Sequence, residues 1–154
     1  MENNTNDKWS ILMKINKEID DLYHNIATYF GLSDSIFWIM YSLYEKQEGL
    51  TQKEICSNWS YSKQTVNSAI KKLLDLKYID MENDIPNNYG KKIYLTPLGL
   101  DVAKQTVEKV MVAEDESFSK IKDEDIDKVI DVFRKSYSSF KNEITKIYMS
   151  SEDL

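Results

Sequence analysis

Between Ser62 and Leu74 the chain carries three lysines, Lys63, Lys71 and Lys72, and no acid. Gln64, Asn67 and Ser68 lie among them, uncharged side chains that both donate and accept hydrogen bonds. At about 100° per residue, a helix through this segment gathers Val66, Ala69, Ile70, Leu73 and Leu74 on one side. With Val66 as origin, Asn67, Lys71, Gln64 and Ser68 span roughly 100° to 200°, the side turned away from the apolar one. Asn and Gln amides can bond adenine N6 and N7 in bidentate fashion, and lysine ammonium groups can reach phosphate or guanine O6 and N7. A helix of this width fits the major groove, with its first residues nearest the bases. The candidate DNA contacts are therefore Ser62, Lys63, Gln64, Thr65, Asn67, Ser68, Lys71 and Lys72. The competing reading is an ordinary helix with a solvated polar face, and the neighbouring elements decide between the two.

Those neighbours are strongly marked. Thr51 and Glu54 have the spacing of a capping box, and Leu50 with Ile55 supplies a hydrophobic staple, so a short helix runs from there to about Trp59. A turn at Ser60-Tyr61 leads into the reading helix, capped by Ser60 or Ser62 and ending near Leu76. Tyr78 to Glu82 and Lys92 to Leu95 read as two short strands joined by the loop Asn83 to Gly90. Two short helices, a tight turn and a two-stranded β hairpin make a winged helix-turn-helix, which adds Lys91 and Lys92 of the wing to the candidate contacts.

Long helices flank this module. Trp9, Leu12, Ile15, Ile19, Leu22, Ile26 and Phe30 recur in steps of three and four before Gly31 ends the first helix. Ser33 is placed to cap the second helix, which is apolar nearly all round from Ile36 to Tyr44 and should sit centrally. Thr96-Pro97 starts another helix expected to continue toward Phe118. Asp123-Glu124-Asp125 opens a last one through Val129, Phe133, Tyr137, Phe140 and Ile147. The fold class is thus mainly α, with a winged module over 33–96 and long helices in 1–32 and 97–154, intertwined rather than independent. Only the two termini read as disordered.

The formal net charge is −6 over 154 residues, but it is unevenly spread. From Thr51 to Lys92 seven lysines face five acids, a local balance of +2, which leaves −8 for the rest. That distribution suits nucleic acid better than the total does. One cysteine, Cys56, excludes an intramolecular disulfide, and a single histidine, His24, beside it argues against a zinc site. With no glycine-rich phosphate loop and no nucleophile–base pair, neither an enzyme nor a cofactor or metal is expected. The longest apolar run, Ile36 to Tyr41, is too short for a membrane span, and the polar start does not read as a signal peptide, so a cytoplasmic location is expected.

The runs Leu50-Thr51-Gln52-Lys53-Glu54-Ile55, Ser62-Lys63-Gln64-Thr65-Val66-Asn67, Leu73-Leu74-Asp75-Leu76-Lys77-Tyr78-Ile79 and Leu95-Thr96-Pro97-Leu98-Gly99 resemble, in order and spacing, the MarR family of transcriptional regulators. The resemblance covers nearly the whole chain. It implies a homodimer whose terminal helices serve dimerisation, with two winged modules reading a pseudo-palindromic operator in double-stranded DNA, as a repressor. Two departures stand out. The family's wing often carries Asp-x-Arg, where this chain has Asn88-Tyr89-Gly90-Lys91-Lys92, and its only arginine is Arg134. Lys77 stands where the family usually has glycine, so local strain or an altered exit from the reading helix is expected. Without arginine in the reading head, an A·T-rich operator read by Gln64 and Asn67 is expected. The resemblance also admits a small aromatic ligand, for which Tyr23, His24, Trp38 and Tyr41 are candidates. Cys56 is expected in the core, facing Val66 and Ile70. The alternative to DNA binding is a winged-helix protein-interaction module.

Overall fold

Helix α2 (Asp34–Glu45) buries Ile36, Phe37, Ile39, Met40, Ser42 and Leu43, and the rest of the module is packed around it. The computed structural model describes residues 4–82 and 90–150. Around α2 lie α1 (Asn4–Tyr29), α3 (Gln52–Trp59), α4 (Lys63–Asp75), α5 (Pro97–Gln105) and the strand β3 (Lys92–Leu95). The central place expected of an all-round apolar helix is the one observed. Ser33 occupies the N-cap position with extended backbone, yet its side chain makes no capping bond, which corrects that part of the expectation. Ser42 is the buried polar residue of this helix. Its hydroxyl donates to the Trp38 carbonyl at 3.1 Å and accepts from Trp59 Nε1 at 2.6 Å, so its hydroxyl is satisfied in both roles and ties α3 to α2.

The wing hairpin is present as β2 (Ile79–Met81) and β3, paired antiparallel with Ile79 opposite Leu95 and Met81 opposite Ile93. A third strand joins it where the sequence pattern shows only a helix boundary. β1 (Leu50–Thr51) pairs with the other edge of β3, so the sheet order is β1-β3-β2. The segment 83–89, which holds most of the expected wing loop, lies outside the described residues, as do the extreme termini.

The helix expected from Thr96 to Phe118 is two. Thr96 caps α5 by accepting from Gly99 N–H, with Pro97 in the first turn. The break falls at Thr106 (φ −122°, ψ −80°), whose buried hydroxyl donates to the Val102 carbonyl at 2.8 Å. There α6 (Val107–Phe118) begins. β-branched Thr106 next to Val107 is a weak place to continue a helix, and both side chains are buried. Tyr44 of α2 donates a 2.5 Å hydrogen bond to Glu108, which raises its phenol above the ordinary tyrosine range. The final helix, α7 (Asp123–Ser150), starts at the acidic triplet. By internal packing the chain forms two compact units, one up to Met111 and one from Val112.

α1 and α4 leave through the same left-handed motif. After α1, Gly31 takes φ +71°, with Gly31 N–H bonded to the Thr28 carbonyl and Leu32 N–H to the Ala27 carbonyl. After α4, Lys77 takes φ +58°, with Lys77 N–H bonded to the Leu74 carbonyl and Tyr78 N–H to the Leu73 carbonyl. The exit is therefore unaltered, and the lysine occupies a conformation that favours glycine. Thr96 Oγ1 donates to the Lys77 carbonyl at 2.6 Å, which helps hold it there. Nearby, a Cβ on Gly99 would fall 1.8 Å from the Tyr78 carbonyl oxygen, so α5 approaches the backbone just before β2 at a distance only glycine permits. Lys77→Gly should stabilise the fold by about 0.5–1 kcal/mol, the left-handed penalty less glycine's extra unfolded-state freedom. Urea midpoints at one protein concentration measure this, and an unchanged or lowered midpoint would contradict it.

Candidate nucleic-acid interface

The interface is built from α3, the turn after it, and α4. Thr51 N–H and hydroxyl both donate to Glu54 Oε2 at 2.7 Å, and Glu54 N–H donates back to Thr51 Oγ1 at 3.3 Å, completing the capping box. Ile55 then anchors α3 in the core. The turn is closed by Ser60 in left-handed conformation at φ +52°. Ser62 caps α4 by accepting from Thr65 N–H at 3.1 Å, and the two hydroxyls lie 2.8 Å apart.

On α4, Val66, Ala69, Ile70 and Leu73 are buried, as the periodicity requires. Leu74 is not: it is 37% exposed, because it sits about 80° from Val66 at the margin of the apolar arc. Lys63, Gln64, Asn67, Ser68, Lys71 and Lys72 are all exposed, and so are Ser62 and Thr65. The structure thus brings eight of the candidate contacts onto one uncovered helix and its cap. Ser62 and Thr65 are partly engaged by the capping bonds described above. Asn67 has a partner of its own, since Gln52 Nε2 of α3 donates a hydrogen bond to Asn67 Oδ1.

The two wing lysines stand apart from that surface. Both are only partly exposed, and the Lys92 ammonium donates to the Glu48 carbonyl at 3.1 Å, at the base of the wing. Its charge also contributes to lowering the Glu54 pKa. Gly90 takes φ +101° where the described chain resumes. Asn88 and Tyr89 lie outside the described residues.

The aromatic candidates separate into two places. Tyr23 and Trp38 have ring centroids 4.8 Å apart, and Trp38 and Tyr41 5.3 Å. Trp59, which sequence reasoning missed, stacks on Trp38 at 4.1 Å. His24 is exposed, and its Nδ1 lies 2.9 Å from Asp34 Oδ1. Cys56 is half-buried against the core rather than enclosed within it. Trp59 and Gln52 were hidden for the same reason. Each acts across the α2–α3 or α3–α4 contact, and one-helix periodicity carries no information about a neighbour.

This arrangement is a winged helix-turn-helix, with a three-stranded wing sheet and an outward second helix. Residues 30–85 match the MarR family model. No curated protein sequence matches the chain. Among solved structures, NMB1585, a MarR family regulator from Neisseria meningitidis, is 23% identical with a TM-score of 0.69, covering 86% of this chain and 97% of that one. MepR of S. aureus in its DNA-binding conformation is 22% identical with a TM-score of 0.70, covering 86% and 98%. The S. aureus MepR–DNA complex is 21% identical with a TM-score of 0.66, covering 84% and 94%. Its central segment is thus similar to the MarR family, and the whole chain shares its fold with these solved structures.

The capping box that positions α3 is also a titrating element. The Glu54 carboxyl is held below its ordinary value of 4.5, first by the Thr51 N–H bond, then by the Thr51 hydroxyl, with Lys92 adding a smaller pull. A folded-state value below the unfolded one means a stabilisation that is complete above 4.5 and is lost as pH falls through the lowered value. Glu54→Gln keeps an acceptor at that place and removes the titration. Unfolding midpoints between about pH 7 and 3 should show the wild type losing its advantage over the Glu54→Gln variant below about 4.5. Parallel curves over that range would contradict the assignment.

Proposed function

We propose that the protein is a homodimeric, sequence-specific DNA-binding regulator that represses by occupying a pseudo-palindromic, A·T-rich operator. The observation that carries this is the exposed, acid-free face of α4, with Gln64, Asn67, Ser68, Lys63, Lys71 and Lys72 turned outward by a buried opposite arc. The similar structure captured with DNA, S. aureus MepR, supports the same use of the fold. In this reading Ser62, Lys63, Thr65 and Lys72 hold the phosphate backbone, while Gln64, Asn67, Ser68 and Lys71 meet base edges. Lys91 and Lys92 lie on the wing side, Lys92 with part of its donor capacity engaged by Glu48.

The homodimer is supported by what the single chain leaves uncovered. Among the described residues of α1, Ala27 is buried in the core and Tyr23 packs against it. Trp9, Ile15, Ile19 and Leu22 of its apolar stripe are 42–67% exposed. On α7, Val129, Tyr137 and Phe140 are 55–67% exposed. Large apolar side chains left exposed along a helix in this way mark an interaction site. In this reading the helices of 1–32 and 97–154 form the dimer, and 33–96 forms the module that reads DNA.

Selection of bound fragments from random duplex DNA tests the reading. The expected product is an A·T-rich site of two inverted halves with centres about 34–36 Å apart. A single unrepeated half-site, or equal affinity for G·C-substituted halves at the same salt, would contradict it. Lys72→Ala should weaken all sequences alike and lower the salt slope by about one. Gln64→Ala should cost about 1–3 kcal/mol at one base pair. Equal effects of the two on every sequence would show the face to be wrongly divided.

A further inference from the structure

Gln52 touches the reading face but belongs to neither the phosphate-binding nor the base-reading set. It is the first residue of α3 and half-buried, and it reaches across to α4 to donate from Nε2 to Asn67 Oδ1. Among the described residues, the other three central polar residues of the α4 face, Gln64, Ser68 and Lys71, have no such side-chain partner. Asn67 sits at the shoulder of that face, about 100° from Val66. Its amide is the one held from the neighbouring helix.

The bond bears on what Asn67 can read. The outer torsion of an asparagine is broad and roughly two-fold, so an untethered amide presents its oxygen or its amino group with similar ease. The two presentations recognise opposite donor and acceptor patterns on a base edge. Adenine in the major groove offers N6–H as donor and N7 as acceptor, and requires the oxygen and the amino group in one fixed sense. A carbonyl oxygen has two lone pairs. One accepts from Gln52, which leaves the second, together with both amino protons, for a base.

The tether is itself well anchored. Gln52 follows Thr51, which is fixed both by the capping box and by pairing with Lys92 in the sheet. Asn67 follows Val66, which is fully buried. Both ends of the bond therefore start from backbone that packing holds still.

We propose that Gln52 is a positioning residue for base recognition, setting the rotation and sense of the Asn67 amide so that it reads adenine at one base pair of each half-site. The proposal rests on the DNA-binding reading above and adds a residue and a specificity to it. Position-resolved selection from random duplex DNA, run on wild type, Gln52→Met, Gln52→Glu, Asn67→Ala and the variant carrying both Gln52→Met and Asn67→Ala, tests it. Gln52→Met keeps length and helix propensity and removes the donor. It should lower the preference at the base pair that Asn67→Ala relaxes by about fivefold, the weight of one intramolecular hydrogen bond. It should have no further effect at that base pair when Asn67 is already alanine. Gln52→Glu, which can only accept, should draw the Asn67 amino group toward itself and change which base is preferred there.

Three results would overturn the proposal. In one, Gln52→Met leaves intact a preference that Asn67→Ala relaxes. In another, it lowers affinity for every sequence equally together with the thermal midpoint, the mark of a merely structural tie. In the third, Asn67→Ala relaxes no position at all. A wild-type protein that enriches no sequence would instead overturn the DNA-binding reading itself, so the two failures are distinguishable.

Discussion

The burial of four side chains on one arc of α4 determines where every polar group of that helix points. Val66, Ala69, Ile70 and Leu73 are covered, and each of the larger three contributes roughly 1.5–3 kcal/mol by leaving water. Turning the helix by one residue would carry Asn67 toward the core and expose Val66. An amide buried without partners costs several kcal/mol, so no neighbouring rotation competes. The outward face is thus a product of the inward one. Caps and turns then fix position along the axis, with Ser62 at the start and the left-handed Lys77 at the end.

Most of this was legible because it is local. The capping box at Thr51 and Glu54, the Thr96-Pro97 helix start and the Gly31 stop each depend on residues a few positions apart. The positive φ at Lys77 was legible only through the resemblance, since nothing about a lysine announces it. What could not be read is non-local. β1 is two residues long and exists because β3 lies beside it. The break at Thr106 depends on burial of that residue and Val107, which periodicity continues straight through. Leu74 belongs to the apolar set by type and to the surface by angle. Gln52 and Trp59 acquire their roles from partners 15 and 17 positions away. The aromatic candidates show the same limit, because spacing on α1 and α2 could not tell that His24 pairs with Asp34.

Charge is distributed to match the two faces of the molecule. Acids near the start of α3 and α7 stand at the positive ends of their helices, where they are favourable. Helix α4 has none in its first turn and a lysine in its last. An acid-free N-terminus keeps the backbone N–H end of α4 attractive to phosphate. The overall −6 therefore coexists with a locally cationic surface.

Leu50 and Thr51 each do two things at once. They form the strand that pairs with Ile93 and Lys92, and Thr51 is also the cap on which α3 begins. No flexible spacer separates the wing's root from the first turn of the helix-turn-helix. The wing's root and the scaffold that carries α4 therefore share one stretch of backbone, and a shift of one displaces the other. In the DNA-binding role proposed above, adaptation to differently curved duplexes would then come from elsewhere in the molecule.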